Sequence, residues 1–220
     1  MHQALLFDFN GVILNDEPQH CSALARALGE VQIRLDRKTY YREYLGFDDR
    51  ECFRYAFLKN GLRLDDPVLE ALVERKHQFW VDEIHKCAEM VPGIEQFIAV
   101  SVEAGYRLAV VSSALRREVE PFLAERGLRR AFTCLVTAED ITACKPDPQG
   151  YRKALDLLGV APAEAIAFED SIPGFNAARS AGLRCIMLTT AHPASDLDRA
   201  EAVWHNFVDH HPSELPWNHA

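Results

Sequence analysis

The chain lacks the cysteine pairs, the positive charge and the long apolar runs that would place it in several large protein classes. Its six cysteines, Cys21, Cys52, Cys87, Cys134, Cys144 and Cys185, form no Cys-x-x-Cys pair and have no histidine at zinc-finger spacing. That scatter argues against a disulfide framework or a zinc ribbon and reads as reduced thiols. Basic residues are outnumbered, 24 against 33 acidic, for a formal net charge of −9. The positive field that draws proteins to nucleic-acid phosphates is therefore missing, and nucleic acid is not an expected partner. No segment approaches the roughly 18 consecutive apolar residues of a membrane helix, so no membrane is expected either. Met1-His2-Gln3 runs straight into an apolar segment, without the basic start and small-residue cleavage site of a secretory signal, and the expected location is the cytoplasm. Internal repeats and low-complexity tracts are also absent.

The composition, 48% hydrophobic and 26% charged over 220 residues, is that of a packed globular chain with room for a large domain and a smaller inserted one. Short apolar runs at Ala4 to Phe9, Leu108 to Val111, Leu135 to Val136, Ala165 to Phe168 and Cys185 to Leu188 read as buried strands. Helical patterns at Arg116 to Arg126, Gln149 to Leu158 and Ile172 to Ala181 separate the later runs, the last stopped by Gly182. Such alternation predicts an α/β fold with a parallel sheet covered on both faces. The rhythm breaks between Glu17 and Lys86, where amphipathic helical patterns follow one another without a strand. The best of these places Val68, Leu69, Leu72, Val73, Phe79, Trp80 and Ile84 on one stripe. The expected organisation is a core of residues 1–16 and 87–220 with a helical insert at 17–86, approached at Pro18 and Pro92-Gly93. The tail from Asp209, with His210, His211, Pro212, Pro216 and His219, reads as surface peptide.

Ligands of open parallel sheets gather beyond the carboxyl ends of the strands. The first run ends in Asp8, followed by Asn10-Gly11. A carboxylate there can attack phosphorus, although the string by itself far more often marks an ordinary turn. The second run leads into Ser112-Ser113, whose hydroxyls and amides suit a phosphoryl oxygen. Lys145 stands between Cys144 and Pro146-Asp147-Pro148, where it can neutralise a phosphate and a nucleophile or simply face solvent. The fourth run ends in Glu169-Asp170, and burying adjacent like charges calls for a compensating cation such as magnesium with its oxygen ligands. An acidic protein that handles phosphates needs such a local device.

Taken together and in order, Asp8, Ser112, Lys145 and Glu169-Asp170 resemble the four motifs of the haloacid dehalogenase-like hydrolase superfamily. The strings Gly11-Val12-Ile13, Glu17-Pro18-x-His20, Lys145-Pro146-Asp147-Pro148 and Glu169-Asp170-Ser171-x-x-Gly174 fit as well. The likeness spans essentially the whole chain and is strongest to the branch of beta-phosphoglucomutase and sugar-phosphate phosphatases. It implies a Rossmann-like parallel-sheet core with an inserted helical cap domain. It also implies that Asp8 is the nucleophile, that Ser112 and Lys145 hold the transferring phosphoryl group, and that Asp170 binds Mg2+ with Glu169 assisting and the Asn10 backbone carbonyl contributing. In the cap, Leu45 to Arg50 resembles a loop whose arginine, here Arg50, grips a distal phosphate. Lys76 and His20 resemble polar residues near a bound sugar, and for each the competing reading is an ordinary helix side chain.

One position departs from the pattern. Asn10 stands where family phosphatases and mutases carry a second aspartate that protonates the leaving oxygen, and an amide cannot exchange that proton. The implied activity is a magnesium-dependent, monomeric phosphatase of a small phosphorylated metabolite with impaired or relocated acid-base catalysis, Asp16 being the candidate for relocation. Alternatives are a binding protein without turnover and a phosphomutase, the latter set back by the missing aspartate. Asn10-Gly11 is also a pair suited to deamidation, which would restore an aspartate.

Overall fold

The computed structural model describes residues 3–45, 47–87, 89–192, 194–197 and 199–217, without the side chains of residues 83–87. Gly46 of the arginine loop and His219 of the tail thus lie outside the described residues, as do the side chains of Ile84 of the apolar stripe, Lys86 and Cys87.

In chain order the elements are β1 (Ala4–Phe7), α1 (Glu17–Glu30), α2 (Arg37–Glu43), α3 (Asp49–Lys59), α4 (Asp66–Cys87), α5 (Ile94–Glu103) and β2 (Arg107–Val111). There follow α6 (Arg116–Glu125), β3 (Phe132–Val136), α7 (Gln149–Leu158), β4 (Ala165–Glu169), α8 (Ile172–Ser180), β5 (Arg184–Leu188) and β6 (Ala202–Trp204). The strands form one six-stranded sheet in the order β3-β2-β1-β4-β5-β6, and every pairing is parallel. The α/β, Rossmann-like class expected from the alternation is the class observed. Helix α5 and strand β6 are additions to the elements read from sequence; β6, three residues long, is too short to show a period.

Chain contacts divide the molecule into two units, Met1–Asn15 with Met90–Ala220, and Asp16–Glu89. In the first, β1 and β4 are central and buried on both sides, which is why they carry unbroken apolar runs. One face of the sheet packs Leu6, Val111, Val136 and Ala167 against Tyr151, Leu155 and Leu158 of α7 and Phe175 and Ala178 of α8. The other face is aromatic. Phe7 and Phe168 stack 4.8 Å apart, and Phe97 of α5, Trp204 and Phe207 close around them. The chain leaves this unit beside the strand ends and returns next to its exit, since Val91 N donates to Ile13 O at 3.0 Å.

The final segment differs from the surface peptide expected. The His210 ring lies flat on Trp204, with centroids 3.8 Å apart, Leu215 is buried, and Trp217 stacks on Tyr106. Isolated aromatic anchors of this kind leave no periodic trace in a sequence.

The second unit is all helical. Leu24 and Leu28 of α1, Phe53 and Phe57 of α3, and Leu69, Leu72, Val73, Phe79 and Trp80 of α4 are buried, whereas Val68, expected on the same stripe, is 41% exposed. Asp36 and Asp48 cap α2 and α3 by accepting from Thr39 N and Glu51 N. Pro18 sits in the first turn of α1, where a proline costs the helix nothing. Among the described residues no helix is long and apolar enough to cross a membrane.

Phe168 is fully buried among Phe7, Phe97, Trp204 and Phe207, so Phe168→Ala is expected to cost about 3–5 kcal/mol in chemical denaturation. Leu157→Ala, on a side chain 55% exposed, is expected to stay within about 0.5 kcal/mol.

Candidate active site

Parallel strands aim their C-terminal ends one way, and four of the expected residues leave those ends together. Asp8 follows β1 and extends its ladder, with its N–H on Phe168 O at 3.0 Å; Ser112 does the same for β2, with its N–H on Val136 O at 2.9 Å. Glu169 ends β4 and Asp170 follows it. Lys145 comes from the loop before α7 and reaches across: its Nζ lies 2.9 Å from Asp8 Oδ1, 2.6 Å from Glu169 Oε1 and 3.2 Å from Val111 O. An ammonium has three protons, and all three have acceptors here. Ser112, Ser113 and Lys145 line one cleft together with Tyr151. Ser112 Oγ accepts from Ala114 N, while Ser113 Oγ is buried without a hydrogen-bond partner among the described residues.

Glu169 is fully buried and saturated with donors. Its Oε1 receives Lys145 and the Tyr151 hydroxyl at 2.6 Å, and its Oε2 receives Asp170 N and Ser171 Oγ at 3.3 Å each. Gly174 belongs to the same fit, because a Cβ there would lie 2.1 Å from the Glu169 carboxylate. Gly11 is more constrained still. Its φ of +75° is left-handed, and a Cβ would fall 1.8 Å from Asp170 Oδ2. Thr190, beyond β5, donates to Gly11 O at 2.7 Å and lies 3.2 Å from Asp170 Oδ2. Asn10 is half-buried in the same loop, which Gly11 N closes by donating to Leu14 O at 2.7 Å.

Oxygen atoms of Asp8, Glu169 and Asp170 all lie within 4.8 Å of one another. Desolvation raises the Asp8 pKa from 3.8 to about 7, against the pull of the Lys145 charge and with the Glu169 charge adding to the rise. Burial works against the Lys145 ammonium, yet Asp8 and Glu169 outweigh it and hold its pKa above the usual lysine value. Burial, reinforced by the charge of Glu169, pushes the Tyr151 phenol well up, so it remains a neutral donor. Three buried carboxylates against one ammonium leave an excess of negative charge. Converging hard oxygen donors with such an excess suit a divalent cation such as Mg2+, and the residues present fit one.

Within the helical unit, two of the expected residues, Lys76 and His20, contact each other. Lys76, 2% exposed, does not extend to solvent; its Nζ contacts Asp49 Oδ1 at 2.7 Å and His20 Nδ1 at 2.5 Å. An ammonium cannot accept a hydrogen bond, so Nδ1 must, and the imidazole proton on Nε2 points to Asp16 Oδ2 at 3.0 Å. Asp16 Oδ2 also accepts from Trp80 Nε1 at 2.8 Å. Arg50 pairs bidentately with Glu70 at 2.9 and 2.7 Å. Tyr151 and Thr190 were not singled out in the sequence, since a tyrosine within a helix and a threonine after a strand carry no motif.

The model of the family described as haloacid dehalogenase-like hydrolase matches residues 5–188. The validoxylamine A 7'-phosphate phosphatase of Streptomyces hygroscopicus subsp. limoneus is 29% identical, over 100% of this chain and 98% of that protein. The phosphorylated carbohydrates phosphatase of Thermotoga maritima is 28% identical, over 84% and 83%. Among solved structures, an aspartate-to-asparagine variant of CbbY from Rhodobacter sphaeroides, in complex with xylulose-(1,5)bisphosphate, superposes with a TM-score of 0.85 at 27% identity, covering 95% of this chain and 96% of that one.

A carboxyl whose pKa is raised by folding favours the folded state below its ordinary pKa, and that contribution is lost as pH rises through the folded value. In chelator, the stability of Asp8→Asn relative to the parent is therefore expected to increase between pH 5 and pH 8, as read by denaturation at each pH. A difference that stays flat over that range contradicts the electrostatics described.

Proposed function

The chain belongs to the haloacid dehalogenase-like hydrolases, and we propose that it is a phosphatase of a small phosphorylated metabolite of the sugar-phosphate class, working through an aspartyl-phosphate at Asp8. The observation that carries this reading is the contact of Lys145 with both Asp8 and Glu169 at the ends of adjacent strands. Two phosphatases among the similar proteins support hydrolase over mutase, and the name of one of them points to phosphorylated carbohydrates.

In this mechanism a carboxylate oxygen of Asp8 attacks phosphorus, the bond from phosphorus to the leaving oxygen breaks, and water later hydrolyses the acyl phosphate to restore Asp8. Lys145 exchanges its longest contact, the one to Val111 O at 3.2 Å, for a phosphoryl oxygen while keeping Asp8 oriented. Ser112, its backbone fixed in the sheet ladder, and Ser113, whose buried hydroxyl needs a partner, donate to the other oxygens. Asp8, Asp170 and the Asn10 carbonyl would hold Mg2+, with Glu169 assisting, and the cation would supply charge neutralisation to the phosphoryl oxygens. The helical unit acts as the cap, with Lys76, His20 and Arg50 assigned to recognition of the rest of the substrate and closure excluding water.

Asn10 sets the limit on this chemistry. Without a group that shuttles a proton, a good leaving group departs more readily than an alkoxide. The same position gives the second reading, a phosphometabolite-binding protein with little turnover. An aspartate-to-asparagine variant of CbbY was captured with its bisphosphate ligand, which is the behaviour that reading expects of this chain.

Magnesium-dependent phosphate release is expected from aryl phosphates and to be abolished in Asp8→Ala. In Asn10→Asp, phosphoryl transfer from a sugar phosphate to Asp8, read in a single turnover, should accelerate by roughly 10²- to 10⁴-fold, far more than transfer from an aryl phosphate. Equal gains on both substrates contradict the missing-acid account, and release that survives in Asp8→Ala contradicts the nucleophile.

A further inference from the structure

We infer that Thr190 is a positioning residue that locks the loop after the nucleophile to Asp170 and so sets the affinity of the acidic cluster for a divalent cation. The inference rests on the proposed cation site and goes beyond it, since Thr190 belongs to none of the motifs that suggested that site.

The loop from Phe9 to Leu14 is a tight turn. Leu14 N and Ile13 N both donate to Phe9 O at 2.9 Å, and Gly11 N donates back to Leu14 O. These bonds fix the loop's internal shape but not its orientation toward β4. Two features supply that orientation. Asp170 Oδ2 occupies the volume a Cβ of residue 11 would need, so loop backbone and carboxylate touch with no side chain between them. The Thr190 hydroxyl then reaches both, 2.7 Å from Gly11 O and 3.2 Å from Asp170 Oδ2.

Thr190 itself is held independently of either group. It follows Thr189, whose N–H donates to Trp204 O at 3.0 Å, carrying the line of β5 beside β6. Three strand ends, β1, β4 and β5, thereby meet at one hydroxyl. The hydroxyl shares its single proton between the Gly11 carbonyl, over the shorter contact, and Asp170 Oδ2, over the longer one. That shared bond fixes the peptide plane next to the Asn10 carbonyl and ties it to the Asp170 carboxylate. Groups one shell behind metal ligands typically change metal affinity by about 10- to 100-fold when removed.

Magnesium titration by calorimetry, without substrate, compares the parent with Thr190→Val, which keeps the shape and removes the hydroxyl, and Thr190→Ser, which keeps the hydroxyl. Thr190→Val is expected to bind Mg2+ at least about tenfold more weakly and Thr190→Ser within about threefold of the parent. The melting temperature in chelator should be nearly the same for all three. On an aryl phosphate, Thr190→Val should need at least about tenfold more Mg2+ for half-maximal turnover and return to the parent's kcat when Mg2+ saturates. Should Thr190→Val not fold, Thr190→Ala against Thr190→Ser provides the same comparison. Binding in Thr190→Val within twofold of the parent, or Thr190→Ser as weak as Thr190→Val, overturns the inference alone. A parent protein that binds no Mg2+ overturns the cation site and this inference together.

Discussion

Asp8, Glu169 and Asp170 are gathered within 4.8 Å of one another, and the ammonium of Lys145 contacts two of them. Everything around the strand ends can be read as a way to make that concentration of charge tolerable. Burial alone drives the Asp8 carboxyl toward its neutral form, which neither attacks phosphorus nor binds a cation, and Lys145 opposes that drift. Glu169 in turn keeps Lys145 charged, and Tyr151 and Ser171 keep Glu169 hydrogen-bonded in a place water does not reach. Breaking such a pair from one side leaves a buried charge unmatched, so the members stand or fall as a set.

The parallel sheet is what makes the set possible. The parallel register pairs Phe7 with Val110 and with Phe168, so Asp8 lies level with Val111 and Glu169 and one step short of Ser112 and Asp170, and these residues meet although they are far apart in the chain. The aromatic packing of Phe7 on Phe168 below them fixes β1 against β4 and with it the spacing of the first and fourth motifs. Gly11 and Gly174 are glycines for a local reason: each lies where a Cβ would strike a carboxylate of the cluster.

Much of this was legible from the residues alone. Buried parallel strands carry unbroken apolar runs, and the polar residues at their ends stand out by contrast, which exposed Asp8, Ser112 and Glu169-Asp170. Two kinds of information were not legible. Supporting groups such as Tyr151 and Thr190 act through single hydroxyls whose direction is set only by the fold. The charge network of the helical unit was likewise hidden, because the partners of Lys76 lie at Asp49 and His20, on other helices and at no sequence spacing that marks a contact. The last segment escaped notice for a related reason, since its anchors, His210, Leu215 and Trp217, bind one at a time.

Asn10 gives the account its sharpest consequence. A site that can form an acyl phosphate at Asp8 but lacks the side chain that would activate water should fill faster than it empties. The direct measurement is mass analysis of the peptide containing Asp8 after acid quench of the protein with Mg2+ and an aryl phosphate. The account predicts one added phosphoryl group on Asp8, abundant in the parent and scarce in Asn10→Asp, where hydrolysis is restored. Phosphate release without any phosphorylated Asp8 in either protein would contradict it.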